Sequence, residues 1–277
     1  MPNPARTPTP GFEEELRSLR RYERDYDSAI GLPAIRALAH PVLHAARATL
    51  PGGTHAAYHA ILSIDGVISA EDERLNALRD SSGLPPHCAE VVYYIAIELV
   101  RNVVEHASIP MGGAIIVSSV DNDTRVGIGV VDRGIGLRRS LARFHIVPDD
   151  QIAMRLAVSP GVTGTTSRLG GNDINAGAGL FFVGGLAALM GTRFLIVSGA
   201  AAWHLAVTDS PGLLTDGALL PLREIGWSGT AVAVDVPFVL PRSKKEMFQA
   251  LNRAYSKQVK LARSEMYRRR SLMGDPT

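Results

Sequence analysis

The stretch VVYYIAIELVRNVVEHA, residues 91–107, decides how this chain is read. Almost every position in it is apolar; the exceptions are Glu98, Arg101, Asn102, Glu105 and His106. These fall at i, i+3, i+4, i+7 and i+8, so on an α-helix they share a single stripe. Pro85-Pro86 just ahead is a helix-opening signal, because the first turn has no use for the N–H that proline lacks. The spacing predicts a helix from there to about Ala107.

Working outward, Gly112-Gly113 turns into AIIVSSV, and Asp121-Asn122-Asp123 turns into RVGIGVVD, two strand-like runs. The turn DRGIGL follows, then a long segment rich in Gly, Thr, Ser and Asn with a short helix near 149–158. GLFFVGGLAALM predicts a second helix over about 179–190, and RFLIVSG, AWHLAV and GTAVAVDVP predict three more strands. Helices against an antiparallel-type sheet make an α+β, two-layer sandwich. Upstream, proline-rich residues 1–11 have a disordered composition. Residues 12–83 read as a mainly helical extension. Apolar residues recur at helical spacing within 12–50, with a break at 31–33, a short strand at 60–64 and a polar helix at 71–80. The organisation expected is an extension at 12–83, a main domain at 84–240 and a basic C-terminal helix or tail at 241–277.

Three stretches carry chemistry. A carboxylate and an amide on one stripe of an otherwise apolar helix need a polar client, since unpaired polar groups in a core are costly. Hydrated Mg²⁺ with a triphosphate is such a client: Mg²⁺ takes oxygen ligands and is commonly held by few protein groups beside phosphates and water. Asn102 would supply an oxygen, and Glu98 would orient or deprotonate a nucleophile; a solvent-facing stripe on a surface helix has the same pattern. Asp132, at the end of a strand-like run, can accept a hydrogen bond from an adenine amino group, and Gly134 and Gly136 allow close backbone approach. Gly177-Ala178-Gly179-Leu180 opens the second helix, where free N–H groups and the positive dipole end favour phosphate. The preceding GVTGTTSRLGGNDINAG has the composition of a loop over phosphates, with Thr163, Thr165, Thr166, Ser167 and Arg168 as contacts. No Walker-type or complete dinucleotide fingerprint is present.

In order and spacing these stretches resemble the GHKL superfamily of gyrase-type ATPases, ninety-kilodalton chaperones, mismatch-repair ATPases, histidine kinases and anti-sigma-factor kinases. ELVRNVVEHA is similar to its asparagine box, DRGIGL and GAGL to its two glycine boxes, and GTAVAVDVP to its closing Gly-Thr strand. The resemblance covers about 84–238 and implies a Bergerat-type ATP-binding fold. It implies Asn102 as Mg²⁺ ligand, Asp132 as adenine anchor with Gly134 and Gly136, Gly177, Gly179 and Leu180 at the phosphates, and Thr230 supporting the base. Glu98 stands where histidine kinases usually carry asparagine, which points to chemistry on water or a hydroxyl. The motif is most similar to anti-sigma serine kinases, and the segment RLAVSPGVTGTT to bacterial ATP-binding proteins that work beside STAS-type partners. Two activities follow: a Mg²⁺-dependent regulatory ATPase acting on a STAS-like or sigma-factor-type protein partner through closure of the loop, or a protein serine/threonine kinase phosphorylating that partner. A homodimer is compatible with either, and a version holding ATP only as a structural ligand leaves Glu98 without a role.

Composition bounds the remainder. The chain has 277 residues, 46% hydrophobic and 20% charged, as expected of a globular protein. The single cysteine, Cys88, excludes an internal disulfide and suits a reducing cytoplasm. No apolar run reaches the roughly 20 residues that span a bilayer, so no membrane role is expected. Net charge is +2, but residues 242–270 hold ten Lys or Arg against two Glu. No groove-reading motif or stacking aromatic platform accompanies them, which weighs against nucleic acid. His40 is followed by proline, which disfavours helical geometry for a phosphoacceptor, and the pairs His40/His44 and His55/His59 lack a third metal ligand.

Overall fold

The computed structural model describes residues 57–61, 84–106, 113–120, 124–132, 134–166, 178–205, 218–221 and 227–273. The expectations for 1–11, for the helices within 12–50 and for 71–80 lie outside these residues. In chain order the elements are β1 (Ala57–Ile61), α1 (Pro86–His106), β2 (Gly113–Val120), β3 (Arg125–Asp132), α2 (Gly136–Leu141), α3 (Asp150–Ala157), α4 (Gly179–Met190), β4 (Phe194–Gly199), β5 (Ala201–Leu205), β6 (Ala218–Pro221), β7 (Trp227–Pro237) and α5 (Lys244–Met273). The chain is therefore α+β.

All the strands join one antiparallel sheet in the order β1-β2-β3-β7-β4-β5-β6. The last strand in sequence, β7, is thus the central one. Val232 pairs with Val130 of β3 on one side and Ile196 of β4 on the other. Side chains alternate across a strand, and Val126, Ile128, Val130, Ile196, Val232, Val234 and Val236 share the face that joins the hydrophobic core with α1 and α4. The opposite face carries Leu195, Val197, Ala231 and Ala233, each 1% exposed or less. Burial on both faces explains why these strands read as nearly unbroken apolar runs.

Helix α1 buries Val91, Ile95, Leu99 and Val103, one residue per turn, and leaves its polar stripe on another side. Helix α4 is apolar all round, as a helix enclosed by the sheet, α1 and α5 must be. Helix α3 starts on Asp149, whose carboxylate accepts the N–H of Ile152 at 2.8 Å. A reciprocal capping box opens α5: the Ser243 N–H donates to the Glu246 carboxylate at 3.0 Å, and the Glu246 N–H to the Ser243 hydroxyl at 3.3 Å. The first half of α5 is docked, with Met247, Leu251 and Val259 buried and Phe248 edge-on to Tyr94 of α1 at 4.6 Å.

Three local details differ from the sequence reading. DRGIGL, taken as a plain turn, leads into the short helix α2. Strand β1 begins at Ala57, three residues before the expected 60–64, of which 62–64 lie outside the described residues, and β6, four residues long, was not anticipated. Short edge strands owe their existence to a partner, here β2 and β5, more than to their own composition. Among the described residues no helix is long and apolar enough to cross a membrane.

Candidate functional site

The polar stripe of α1 faces a cavity of about 270 Å³ enclosed by α1, the sheet, α2 and the start of α4. Glu98, Asn102, Glu105 and His106 are half-buried and line it; Arg101 lines it from an exposed position. Helix α4 begins directly over this stripe. A Cβ at Gly179 would stand 3.1 Å from Glu98 Oε2 and 3.6 Å from Asn102 Oδ1, so the first backbone turn of α4 lies against the carboxylate–amide pair. The residue before it, Ala178, gives no side-chain cap. The N–H groups of that turn have no partners within the helix and sum to a positive pole.

Among the described residues, two nitrogens at this end have no partner. Asn102 Nδ2 and His106 Nδ1 are buried and make no hydrogen bond. The Asn102 N–H left unmet forgoes about 1–3 kcal/mol. Burial pushes the Glu98 carboxyl up, against the pull of Arg101 and with a push from Glu105. Burial, then Glu98, raises the Tyr94 phenol, which stays a protonated donor one turn earlier on the helix. Burial lowers the His106 imidazole despite Glu105, 3.9 Å away, so the ring is neutral at neutral pH.

The other end is built around Asp132, the last residue of β3 and 5% exposed. Its carboxylate accepts the Gly134 N–H at 2.7 Å and also the N–H of Thr230 in β7. Burial outweighs these bonds and raises the carboxyl from 3.8 to about 6. Strand β7 approaches this closely because residue 229 is glycine: a Cβ there would lie 2.3 Å from the Asp132 carbonyl oxygen and 2.5 Å from Oδ1. The buried Ser198 hydroxyl of β4 donates to the Gly229 carbonyl at 2.8 Å and accepts the Leu137 N–H at 2.9 Å, which ties α2 to the two central strands. Gly136 starts α2 at a φ of 71°, a left-handed conformation that glycine adopts without strain. Val130, Val232, Leu99 and Val103 supply apolar walls between the two ends.

Of the residues singled out from sequence, Glu98, Asn102, Asp132, Gly136, Gly179, Leu180 and Thr230 line this one cavity. Gly134 contributes its N–H to Asp132 instead of lining the space. In the loop after α3, Thr163 and Gly164 line the cavity, whereas Thr165 and Thr166 do not. An isolated bridge between Thr163 and Thr166 closes that turn, and the Thr165 hydroxyl is 3.0 Å from that of Thr163. Gly177, Ser167 and Arg168 lie outside the described residues. Tyr94, Ser140, Ser198 and Gly229 belong to the site or its frame and were not identified from sequence. Among the described residues no three His, Cys, Asp or Glu side chains converge on a metal position. Compared with protein-family models, with curated proteins and with solved structures, the chain matches none of them.

Proposed function

We propose that this cavity binds Mg²⁺–ATP in a cytoplasmic regulatory protein of the GHKL type, with the sheet and helices forming a Bergerat-type fold. The observation that carries the reading is the meeting, on one cavity, of an uncapped helix N-terminus, the Glu98–Asn102 pair and the buried carboxylate of Asp132. Asp132 holds two backbone donors and, as a carboxylate, keeps acceptor capacity for the amino group of adenine. A guanine presents an oxygen at that place and would be repelled. The cavity lies at the small end of ligand pockets, which run to about 300–1,000 Å³, so it suits the base, and the phosphates extend along the start of α4. The Asn102 amide, whose nitrogen is unpartnered among the described residues, would fit a metal–phosphate group, its oxygen toward Mg²⁺ and its nitrogen toward a phosphate oxygen. Mg²⁺, when bound, neutralises phosphate charge. Glu98, its carboxyl raised by burial, is suited to take a proton from the attacking water. Closure of the loop beginning at Thr163 would pass the nucleotide state to a STAS-like or sigma-factor-type partner.

A second reading keeps the same residues and lets Glu98 deprotonate a serine or threonine of that partner, making the protein a kinase. Calorimetric titration with Mg²⁺–ATP tests the site itself. Asn102→Ala is expected to weaken binding at least about tenfold, ~1.4 kcal/mol, and unchanged affinity would remove Asn102 from the site. Labelled ATP separates the two readings, since hydrolysis releases phosphate and phosphotransfer labels an added partner. Glu98→Gln should bind normally and lose about 10²–10⁴ in turnover in either case; full turnover would leave Glu98 a structural residue.

A further inference from the structure

Past its first residue, helix α2 lines the first cavity through Leu137, Ser140 and Leu141. Two of these are leucines; the third brings a hydroxyl, on a residue 4% exposed. The other buried hydroxyls among the described residues are all engaged. Thr163 meets the Thr165 hydroxyl at 3.0 Å, Thr192 donates to the Ala187 carbonyl at 3.4 Å, and Ser198 donates to the Gly229 carbonyl at 2.8 Å. The Ser140 hydroxyl makes no hydrogen bond among the described residues. A helical serine can settle this by donating to the carbonyl four residues back. The Ser159 hydroxyl does so to Arg155 at 2.7 Å, and the Ser264 hydroxyl to Lys260 at 3.0 Å. Ser140 does not, although Gly136 stands four residues back. Beside it lies Gly164, also on the cavity wall. A Cβ at 164 would lie 2.5 Å from Ser140 Oγ, so a larger residue there would cover the hydroxyl or displace it.

A buried hydroxyl left unmet is costly, and the cavity beside Ser140 is where a partner can stand. Leu137 marks the Asp132 end, its N–H held by Ser198. Ser140 follows three residues later, about 4.5 Å further along the helix, beyond that hydrogen-bonded frame. Its wall is also not the one formed by Glu98, Asn102 and the start of α4. With the phosphates along α4, the part of the ligand left for Ser140 is the nucleoside. We propose that the Ser140 hydroxyl is a direct contact for that half, hydrogen-bonding a ring nitrogen of the base or a hydroxyl of the ribose, with Gly164 leaving it room. Either group suits a side chain that both donates and accepts. This role for Ser140 rests on the ATP reading and adds to it a residue from a further wall of the cavity.

Full-length wild-type and Ser140→Ala chains are titrated calorimetrically with Mg²⁺–ATP, adenosine and 2′,3′-dideoxyadenosine, and their thermal unfolding is followed without ligand. Ser140→Ala should weaken ATP and adenosine by the same factor, about fivefold, as loss of one neutral hydrogen bond requires. The unliganded variant should melt no lower than wild type, because the hydroxyl it loses has no partner and alanine is the better helix former. A hydroxyl that served only the fold would give a lower melting temperature, and that result overturns the proposal. If dideoxyadenosine is weakened too, the contact is with the base; if it binds both chains alike, the contact is with the ribose, and either result supports the proposal. ATP affinity that Asn102→Ala lowers and Ser140→Ala leaves unchanged overturns the role of Ser140 while the ATP reading stands. A loss for ATP that spares adenosine does the same. A wild-type chain that binds no ATP removes the reading and the role of Ser140 together.

Discussion

At the Asp132 end of the first cavity the chain satisfies its own polar groups, whereas at the Asn102 end it leaves them unmet. Asp132 receives two backbone N–H groups, and the Ser198 hydroxyl both donates and accepts. At the other end, among the described residues, the Asn102 amide nitrogen and the His106 Nδ1 are buried without a partner, and α4 begins with no side-chain cap. A site whose hydrogen bonds are complete before binding is preorganised and rigid. On the proposed reading, the open end is completed by the phosphates of the nucleotide. Substitutions at the first end should therefore act on folding as well as on the base, and substitutions at the second chiefly on affinity.

The largest effect is expected from Gly229→Ala. The added methyl would fall 2.3 Å from the Asp132 carbonyl oxygen, and backbone cannot rotate away as a side-chain tip can. Strand β7 would have to part from β3 at the centre of the sheet. The loss of stability should reach the top of the range for overpacking, about 3 kcal/mol, read from urea unfolding. Wild-type stability in this variant would mean that the Asp132 end is not the rigid one.

Next in size is Asp132→Asn. The folded-state carboxyl titrates at about 6 against 3.8, a raised value. Its contribution to stability is therefore fully present below about 3.8 and lost as pH rises through about 6. At pH 8 the wild type carries a buried charge that asparagine lacks, while an amide oxygen can still accept from Gly134 and Thr230. The variant should be more stable than wild type at pH 8, by something of order 2–3 kcal/mol, and the gain should shrink as pH falls through 6. The same change should weaken ATP binding, because a neutral amide is a poorer acceptor for the adenine amino group. A gain in stability independent of pH would detach it from the Asp132 charge.

How much of this was legible in the sequence follows the same division. Glu98 and Asn102 were visible because a polar stripe on an apolar helix is a local pattern, and Asp132 because a strand-like run ends on it before two glycines. Gly179 was visible as the small residue opening an apolar helix. The frame of the Asp132 end was not. Ser198 is tied to Gly229 over 31 positions and to Leu137 over 61, and neither serine nor glycine in a strand announces such a contact. Gly229 had been read as part of a Gly-Thr strand, but its reason is the Asp132 carbonyl on the neighbouring strand. Burial of the second sheet face, with Leu195, Val197, Ala231 and Ala233, was equally hidden in the strand-like runs. Open donors, being local, were legible; closed networks, being tertiary, were not.

The smallest effect on stability, and the sharpest contrast, should come from Gly179→Ala. Here the added Cβ would stand 3.1 Å from Glu98 Oε2 and 3.6 Å from Asn102 Oδ1, tight but against the ends of two side chains that can turn. Alanine is the better helix former by about 0.8–1 kcal/mol in a helix interior, a gain reduced at a first helical position, so stability should stay within about 0.5 kcal/mol of wild type. On the proposed reading, the methyl would nevertheless occupy the approach of a phosphate to the first turn of α4. Mg²⁺–ATP affinity should fall about tenfold, ~1.4 kcal/mol, while adenosine, which lacks phosphates, should bind as before. The same glycine-to-alanine change would then destabilise the fold at one end of the cavity and spare it at the other. Unfolding by Gly179→Ala would erase that difference, and an equal loss for adenosine would place the phosphates away from α4.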